Sequence, residues 1–202
     1  LKDIQVLTPV HKGTLGTLNM NRELQAILNP PSSEKVEKKG VNSTFRVGDK
    51  VMQTKNNYRL EWKRIDDFSD GVGVFNGDIG FIAEIDSEDN RLDVIFDDNK
   101  RASYDFTMTD ELELAYAMTI HKSQGSEFPI IVMPISVFPP MLANRNLLYT
   151  AVTRGKQAVI LVGAENRLHA MIDNDRIEER LTGLNVWLEG FLKIEQEMDM
   201  NL

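Results

Sequence analysis

Two polar segments of the sequence carry side chains suited to binding phosphate groups. The first, residues 119–128, reads Thr-Ile-His-Lys-Ser-Gln-Gly-Ser-Glu-Phe and precedes the apolar run 130–133. A polar turn that ends in glycine beside a buried strand can present amides and hydroxyls to a phosphate. The same pattern also suits a helix that ends at a glycine and exposes solvated polar side chains. The residues alone leave both interpretations open.

The second segment, residues 146–156, reads Asn-Leu-Leu-Tyr-Thr-Ala-Val-Thr-Arg-Gly-Lys and precedes another apolar run. It places Arg154 where a predicted amphipathic helix ends. A guanidinium fixed at the end of a rigid element can bind a phosphate through two parallel hydrogen bonds. The alternative is an arginine that only interacts favourably with the helix dipole. Taken alone, this segment does not decide between the two.

A third segment combines basic and aromatic residues within an otherwise acidic chain. The stretch 53–74 is too long and polar for a tight turn, so the sequence predicts an extended loop there. Basic and aromatic side chains together suit a single strand of nucleic acid, through its phosphates and its bases. The alternative is a solvated loop that Trp62 anchors. The candidate contacts to a single strand are Lys55, Asn56, Tyr58, Lys63 and Arg64.

Composition narrows the class of protein. The chain has 202 residues, 42% of them hydrophobic, which is enough for a real core. A net charge of −8 excludes a histone-like polycation but allows a local basic groove. The absence of cysteine excludes disulfides, a thiol nucleophile and cysteine metal sites, and the three histidines lack metal-ligand spacing. No apolar run reaches the roughly 18 residues of a membrane span. We therefore expect a cytoplasmic chain without a metal site of its own and, since it begins at Leu1, a piece of a longer protein.

The order of patterns predicts an α/β domain with a β module inserted in a loop. Residues 1–43 read as strand, loop and helix, with the helix stripe at Met20, Leu24, Ile27 and Leu28, and residues 108–175 return to alternating helices and strands. Between them, short strands with close turns predict a small barrel over residues 44–107. Helices are predicted over residues 114–122, 144–153 and 165–172. Residues 176–202 are expected to be a helical tail that packs on the domain.

The paired segments resemble the last two motifs of superfamily 1 helicases, T-x-H-K-x-Q-G-x-E and Y-x-A-x-T-R. They occur in that order, about twenty residues apart, with a buried strand between them. The opening Val6-Leu7-Thr8-Pro9 and the barrel signature Asn76-Gly77-Asp78 resemble the RecD-like class, also called the exodeoxyribonuclease V alpha-subunit class. The resemblance covers about residues 1–170. It implies a RecA-like second motor domain, P-loop NTPase-like but without the P-loop, with an inserted SH3-like barrel.

The resemblance also implies roles for individual residues. Arg154 matches an arginine finger that stabilises charge on the γ-phosphate of ATP. Gly125 and Glu127 match positions that approach the nucleotide, and Tyr149 is expected to pack beneath the arginine. The positions that link nucleotide to DNA are Thr119, His121, Ser123 and Gln124. ATP and Mg²⁺ are implied for the whole protein, with single-stranded DNA, the N-terminal motor domain of the same chain and recombination or repair subunits as partners. The implied polarity is 5′ to 3′.

One departure from the family pattern limits what this chain can do by itself. The sequence contains no G-x-x-x-x-G-K-[ST] loop and no paired-acid strand motif for magnesium. We therefore expect that the isolated chain neither binds ATP appreciably nor hydrolyses it. Two other classes of protein are alternatives: a non-catalytic module that binds a single strand through the barrel, and a nuclease. The scattered carboxylates argue against a nuclease, which needs them clustered around metal ions.

Overall fold

A computed structural model describes residues 1–33, 35–40, 43–175, 183 and 187–188 of the chain. The expected helical tail over residues 176–202 lies almost wholly outside these ranges. Among the described residues, no helix combines the length and the apolarity that a membrane crossing requires.

The described chain contains thirteen strands, three α-helices and one 3-10 helix. The strands in chain order are β1 Ile4–Thr8, β2 Glu37–Lys39, β3 Thr44–Arg46, β4 Lys50–Gln53, β5 Asn57–Arg64, β6 Asp70–Val74, β7 Ile79–Asp86, β8 Arg91–Phe96, β9 Lys100–Asp105, β10 Leu112–Leu114, β11 Ala117–Thr119, β12 Phe128–Ile135 and β13 Gly155–Gly163. The helices are α1 Thr17–Leu28, α2 Arg145–Val152 and α3 Glu165–Asp173, and the 3-10 helix is Phe106–Glu111.

The α/β part is a parallel four-stranded sheet in the order β11-β1-β12-β13. Its central strands place Leu7, Ile131 and Met133 in one apolar core, none of them exposed to solvent. Helices α2 and α3 contribute Leu148 and Met171 to the same core. Of the two apolar runs that predict buried strands, residues 130–133 lie in β12, in the middle of this sheet, as expected for parallel strands. Residues 158–162 lie in β13 at its edge, where Ile160 is 49% and Val162 56% exposed, so the prediction of a second buried strand was wrong.

The β module is an antiparallel seven-stranded sheet in the order β10-β4-β7-β8-β9-β5-β6. It encloses a second core in which Phe45, Leu92 and Tyr104 are almost fully buried. The sheet includes β10, which follows the 3-10 helix and pairs with β4. The predicted α/β domain with an inserted β module is therefore the observed architecture.

Two further local predictions were wrong. The helix expected over residues 114–122 is instead the end of β10, the strand β11 and a turn, because these strands pair with β4 and β1. The extended loop expected over residues 53–74 contains β5 and β6, which pair with each other in a hairpin. In both cases pairing with distant residues overrides a local pattern.

A buried lysine joins the barrel to the parallel sheet. Lys50 on β4 is 2% exposed, and its ammonium donates to Gln5 Oε1 at 2.9 Å and to the Ile4 carbonyl at 3.1 Å. Burial lowers the pKa of Lys50 to about 8, although Asp97 and Asp3 raise it in part. The folded protein therefore favours the neutral lysine more than the unfolded chain does.

This pKa predicts a stability that rises with pH. Between pH 8 and 10 the unfolded chain binds the Lys50 proton while the folded protein releases it, so the free energy of unfolding should increase by about 2 kcal/mol. Above pH 10 the raised pKa values of buried Tyr104 and Tyr116 oppose the trend. Urea unfolding at several pH values measures it. Lys50→Met should abolish the rise and the exposed control Lys156→Met should keep it; equal profiles in all three proteins would contradict the assignment.

Candidate nucleotide and nucleic-acid interface

The first predicted motif forms a compact turn between β11 and β12. The Lys122 amide donates to Thr119 Oγ1 at 3.2 Å, and the Ser123 amide donates to the Thr119 carbonyl at 3.2 Å. The chain then reverses at Gly125, whose φ of +87° lies in the left-handed region. Only glycine adopts that conformation without strain, so a glycine is required at this point of the turn.

The turn presents some of its side chains and buries another. His121 and Gln124 are exposed, and neither side chain has a hydrogen bond within the described ranges. Ser123 is fully buried, and its hydroxyl donates to the Ile120 carbonyl at 2.7 Å. Ser123 therefore stabilises the turn through a buried hydrogen bond, whereas the side chains of His121 and Gln124 are available to contact a ligand.

Arg154 lies directly against this motif. Its Nη1 donates to the Ser126 carbonyl at 3.2 Å, and its own carbonyl accepts from the Phe128 amide at 2.8 Å. Its other side-chain bonds go to the Thr150 carbonyl and the Thr153 hydroxyl, each at 3.3 Å. All these acceptors are neutral, and within the described ranges Arg154 forms no salt bridge. The guanidinium charge thus remains available to an anion.

Glu127 is positioned beside the arginine but has a partner of its own. Its carboxylate pairs with Lys156 Nζ at 3.0 Å, and both side chains are more than half exposed. Such an exposed pair contributes little to stability and opens readily. Glu127 can therefore turn toward a ligand at little cost in free energy.

The expectation that Tyr149 packs beneath the arginine was wrong. Tyr149 is 70% exposed on α2, because the buried side of that helix is formed by Leu147, Leu148 and Ala151.

The predicted site residues lie at two opposite edges of the parallel sheet. Thr119 ends β11, whereas Glu127 and Arg154 immediately precede β12 and β13. Because these strands are parallel, the carboxyl end of β11 and the amino ends of β12 and β13 lie at opposite edges. The turn 120–127 crosses between them. One short segment therefore connects the nucleotide candidates to the candidates for DNA contact.

On the barrel, Lys55, Asn56 and Tyr58 come together at the start of β5. Asn56 Nδ2 lies 3.3 Å from the Tyr58 hydroxyl, and Lys55 Nζ pairs with Asp110 at 2.6 Å. Tyr58 is 68% exposed and meets the ring of Phe75 edge to face, with 5.7 Å between the ring centroids. Sequence reasoning missed Phe75; its only signal was an aromatic residue just before the Asn-Gly turn.

Lys63 and Arg64 lie at the opposite end of the same hairpin. They end β5, roughly 25 Å from Asn56 at 3.3 Å per residue. Lys63 Nζ lies 5.7 Å from the centroid of the Phe68 ring, which is 69% exposed at the tip. The five barrel candidates therefore form two separate groups, and only the first lies near the motor motif.

Strand β10 links that first group to the motif. Asn57 donates to Glu111 Oε2 at 3.0 Å, and Lys122 of the turn donates to Glu113 Oε2 at 3.0 Å. Glu111 ends the 3-10 helix and Glu113 lies in β10, so only Leu112 separates the two carboxylates along the chain. The barrel group and the motif turn are thus joined through one short segment, residues 111–113. Among the described residues, no three His, Cys, Asp or Glu side chains cluster as a metal site would require.

Family models match both parts of the chain. The ATP-dependent RecD-like DNA helicase SH3 domain matches residues 20–96, and the UvrD-like helicase C-terminal domain matches residues 114–162. The first covers most of the β module, and the second covers the two motifs.

Two curated relatives extend the match over most of the chain. The ATP-dependent RecD2 DNA helicase of Deinococcus radiodurans is 35% identical over 163 residues, which is 80% of this chain and 20% of that protein. The RecBCD enzyme subunit RecD of Mycolicibacterium smegmatis is 31% identical over 184 residues, which is 91% of this chain and 29% of that protein. The chain therefore spans less than a third of the length of these relatives.

Solved helicase structures share the fold. Bacteroides Pif1 bound to single-stranded DNA matches with a TM-score of 0.50 and 18% identity, over 96% of this chain and 46% of that one. A Pif1 structure described for DNA unwinding at forked duplex DNA gives 0.53 and 19%, over 96% and 45%. With both motifs in place, and with the parallel sheet and inserted barrel around them, the chain belongs to the RecD-like family of DNA helicases.

Proposed function

We propose that this chain is the second motor domain of an ATP-dependent DNA helicase and that Arg154 is its arginine finger. The observation that carries the proposal is the guanidinium of Arg154, which has no carboxylate partner within the described ranges and is fixed against the 119–128 motif by neutral acceptors. A fixed cation aimed at an anion stabilises the charge that develops on phosphate oxygens during hydrolysis. Gly125 and Glu127 border the same position and would approach the nucleotide from this side.

The nucleotide would be held mainly by the missing first motor domain. The sequence has no phosphate-binding loop, and the described residues hold no carboxylate cluster for Mg²⁺. Arg154 fits the phosphate tail of ATP because its charge is not neutralised, whereas the Mg²⁺ ligands must come from elsewhere in the protein. Residues of this chain would therefore supply only part of the ATP site.

The connection from Arg154 to the turn suggests how hydrolysis acts on DNA. Arg154 and the 126–128 segment are joined by two hydrogen bonds, and the turn then crosses to Thr119 at the other edge of the sheet. A shift of Arg154 toward a phosphate would therefore displace the turn that presents His121 and Gln124. Alternating grip of that turn on a strand would move the protein along DNA, through contacts to the backbone.

Several finer assignments belong to the same proposal. We take residues 1–43 and 108–175 as the motor domain and residues 44–107 as the inserted barrel, with β10 as the strand that joins them. Thr119, His121, Gln124, Lys55, Asn56 and Tyr58 are proposed to contact single-stranded DNA. A recombination or repair assembly is the proposed partner class, because the Mycolicibacterium relative is named as a subunit of the RecBCD enzyme. Because the proposed substrate is DNA, we propose that the protein acts in the cytoplasm.

The test is strand separation by the full-length protein that carries this chain. With ATP, it should unwind a duplex with a 5′ single-stranded tail at least tenfold faster than one with a 3′ tail, as the family polarity implies. The 202-residue chain alone should show no ATP hydrolysis above background. Unwinding of neither substrate, with strand binding intact, would favour the alternative of a non-catalytic single-strand-binding module.

A further inference from the structure

Thr153, the residue before Arg154, contacts the guanidinium through its side chain. It is the exposed C-cap residue of α2, and its hydroxyl oxygen accepts from Arg154 Nη2 at 3.3 Å. The other two acceptors of the guanidinium within the described ranges are the main-chain carbonyls of Thr150 and Ser126. Of these three acceptors, only the Thr153 hydroxyl belongs to a side chain. It is therefore the one that the choice of amino acid at its position adds or removes.

The helix determines the orientation of the Thr153 hydroxyl. Oγ1 lies 3.0 Å from the Tyr149 carbonyl and 3.1 Å from the Thr150 carbonyl, one turn back along α2. A hydroxyl has a single proton and a carbonyl oxygen can only accept, so the proton points toward these two carbonyls. A lone pair of Oγ1 is then left for the arginine. The last turn of α2 thus presents this hydroxyl to Arg154 as an acceptor.

The three acceptors together determine which N–H groups of Arg154 remain free. A guanidinium carries one N–H on Nε and a pair on each terminal nitrogen. In the described part of the chain, Nε donates to Thr150, Nη1 donates to Ser126 and Nη2 donates to Thr153. One N–H is therefore left on each terminal nitrogen. Two N–H groups of one guanidinium are what a bidentate contact to phosphate oxygens requires.

We propose that Thr153 is a positioning residue for the arginine finger, and that its hydroxyl sets the rotation at which the two free N–H groups face the γ-phosphate of ATP. The proposal rests on the proposed function of Arg154 and adds a residue that acts through it. Thr153 holds the guanidinium from α2, and the Ser126 carbonyl holds it from the motif turn. Without the hydroxyl, the guanidinium would rotate more freely and would present the two N–H groups to the phosphate for a smaller fraction of the time.

The test is DNA-stimulated ATP hydrolysis by the full-length protein with Thr153→Val, which keeps the branched shape of the side chain and removes the hydroxyl. Its kcat should fall about tenfold, the loss expected when a charged donor loses one hydrogen bond. The KM for ATP should stay within about twofold of its original value, because the first motor domain would hold most of the nucleotide. Thr153→Ser keeps the hydroxyl and should recover most of kcat. The matched control Thr107→Val removes an exposed hydroxyl of the barrel, which bonds to Asp105, and should change neither quantity.

A double-mutant cycle shows whether Thr153 acts through Arg154. In the Arg154→Ala background, Thr153→Val should cause no further loss of kcat, since no guanidinium is left to position. A further loss there would overturn the proposal, as would a Thr153→Ser protein as slow as Thr153→Val. Should Thr153→Val fail to fold, Thr153→Ala gives the same comparison.

The same measurements separate this proposal from the proposed function. If Arg154→Ala loses hydrolysis while Thr153→Val keeps its original kcat, the positioning role is wrong and the arginine finger stands. If Arg154→Ala itself keeps full hydrolysis, the proposed function of Arg154 fails, and the role of Thr153 fails with it.

Discussion

Replacing Arg154 with alanine in the full-length protein is expected to lower DNA-stimulated ATP hydrolysis about a thousandfold or more, while binding of single-stranded DNA persists. The guanidinium contacts only neutral acceptors in the described ranges, so its removal leaves no buried carboxylate unpaired. The fold should therefore survive, and the loss should appear in kcat. Steady-state hydrolysis measured together with DNA anisotropy tests both parts.

Two further variants show whether the loss of hydrolysis is specific to the guanidinium of Arg154. Arg154→Lys keeps the positive charge but cannot present two parallel N–H groups, so it should recover only a small part of the activity. Arg167→Ala removes an exposed arginine of α3 and should leave hydrolysis unchanged. If Arg154→Ala hydrolyses ATP as fast as Arg167→Ala, the arginine is not the finger. The roles proposed for Glu127 and Gly125 would then lose their basis.

The two central strands of the parallel sheet were predictable because β1 and β12 are largely buried. The runs at residues 130–133 and 158–162 are continuous and β-branched, a pattern that predicts buried parallel strands. It identified β12 correctly but also predicted burial for β13, an edge strand in which Ile160 and Val162 are exposed. The helices α2 and α3 were predicted as well, and the Asn144 side chain caps the first of them. The pairing of Arg154 with the 119–128 motif, in contrast, depends on register between β12 and β13 and is not visible in either segment.

The β5–β6 hairpin was not predictable because its strands are largely solvated. Of the eight residues of β5, only Leu60 is buried and Trp62 is partly buried. Alternation of apolar and polar residues is the local signal for a strand, and here one face carries too few apolar side chains to show it. The basic residues lie at opposite ends of the hairpin because strand β5 runs between them. Since the strand was not predicted, their separation could not be predicted either.

Helix α1 shows a different limit, because its buried face is polar. The apolar stripe predicted the buried side from Met20, Leu24, Ile27 and Leu28, yet Ile27 is 76% exposed. The residues that the helix buries are Thr17, Asn21 and Gln25. Apolar spacing cannot identify such a face, since its stability comes from hydrogen bonds to residues far along the chain. Asn21 donates to the Leu114 and Ala117 carbonyls, and Gln25 donates to the Asp49 carboxylate.

Asp49 is expected to be the most sensitive single position for the junction between α1 and the barrel. Its carboxylate is fully buried and accepts from Gln25 Nε2 at 2.6 Å, from Asn29 Nδ2 at 2.7 Å and from the Tyr116 hydroxyl at 2.9 Å. The backbone amide of Arg46 adds a fourth donor at 2.7 Å. These donors come from α1, from β3 and from the segment between β10 and β11, so one side chain joins three parts of the fold.

Asp49→Ala should lower the free energy of unfolding by about 3 kcal/mol or more, because it removes a fully buried acceptor that four donors share. Gln25 Nε2 and Asn29 Nδ2 would keep only their bonds to the Thr44 and Val47 carbonyls. Urea unfolding of the chain measures the change, and Asp89→Ala, at an exposed turn position, should stay within about 0.5 kcal/mol of the original protein. Should Asp49→Ala fail to fold, Asp49→Asn serves instead. The asparagine side chain still accepts hydrogen bonds through its one oxygen. Its NH2 group, however, faces other donors and cannot accept from them.

A double-mutant cycle separates the network from the loss of a side chain. Tyr116→Phe alone removes one donor and should cost about 1 kcal/mol, whereas in the Asp49→Ala background it removes an unsatisfied hydroxyl and should cost little or nothing. Strictly additive effects would mean that the two side chains act independently. An Asp49→Ala protein as stable as Asp89→Ala would show that the junction of α1 with the barrel is maintained by the apolar core instead.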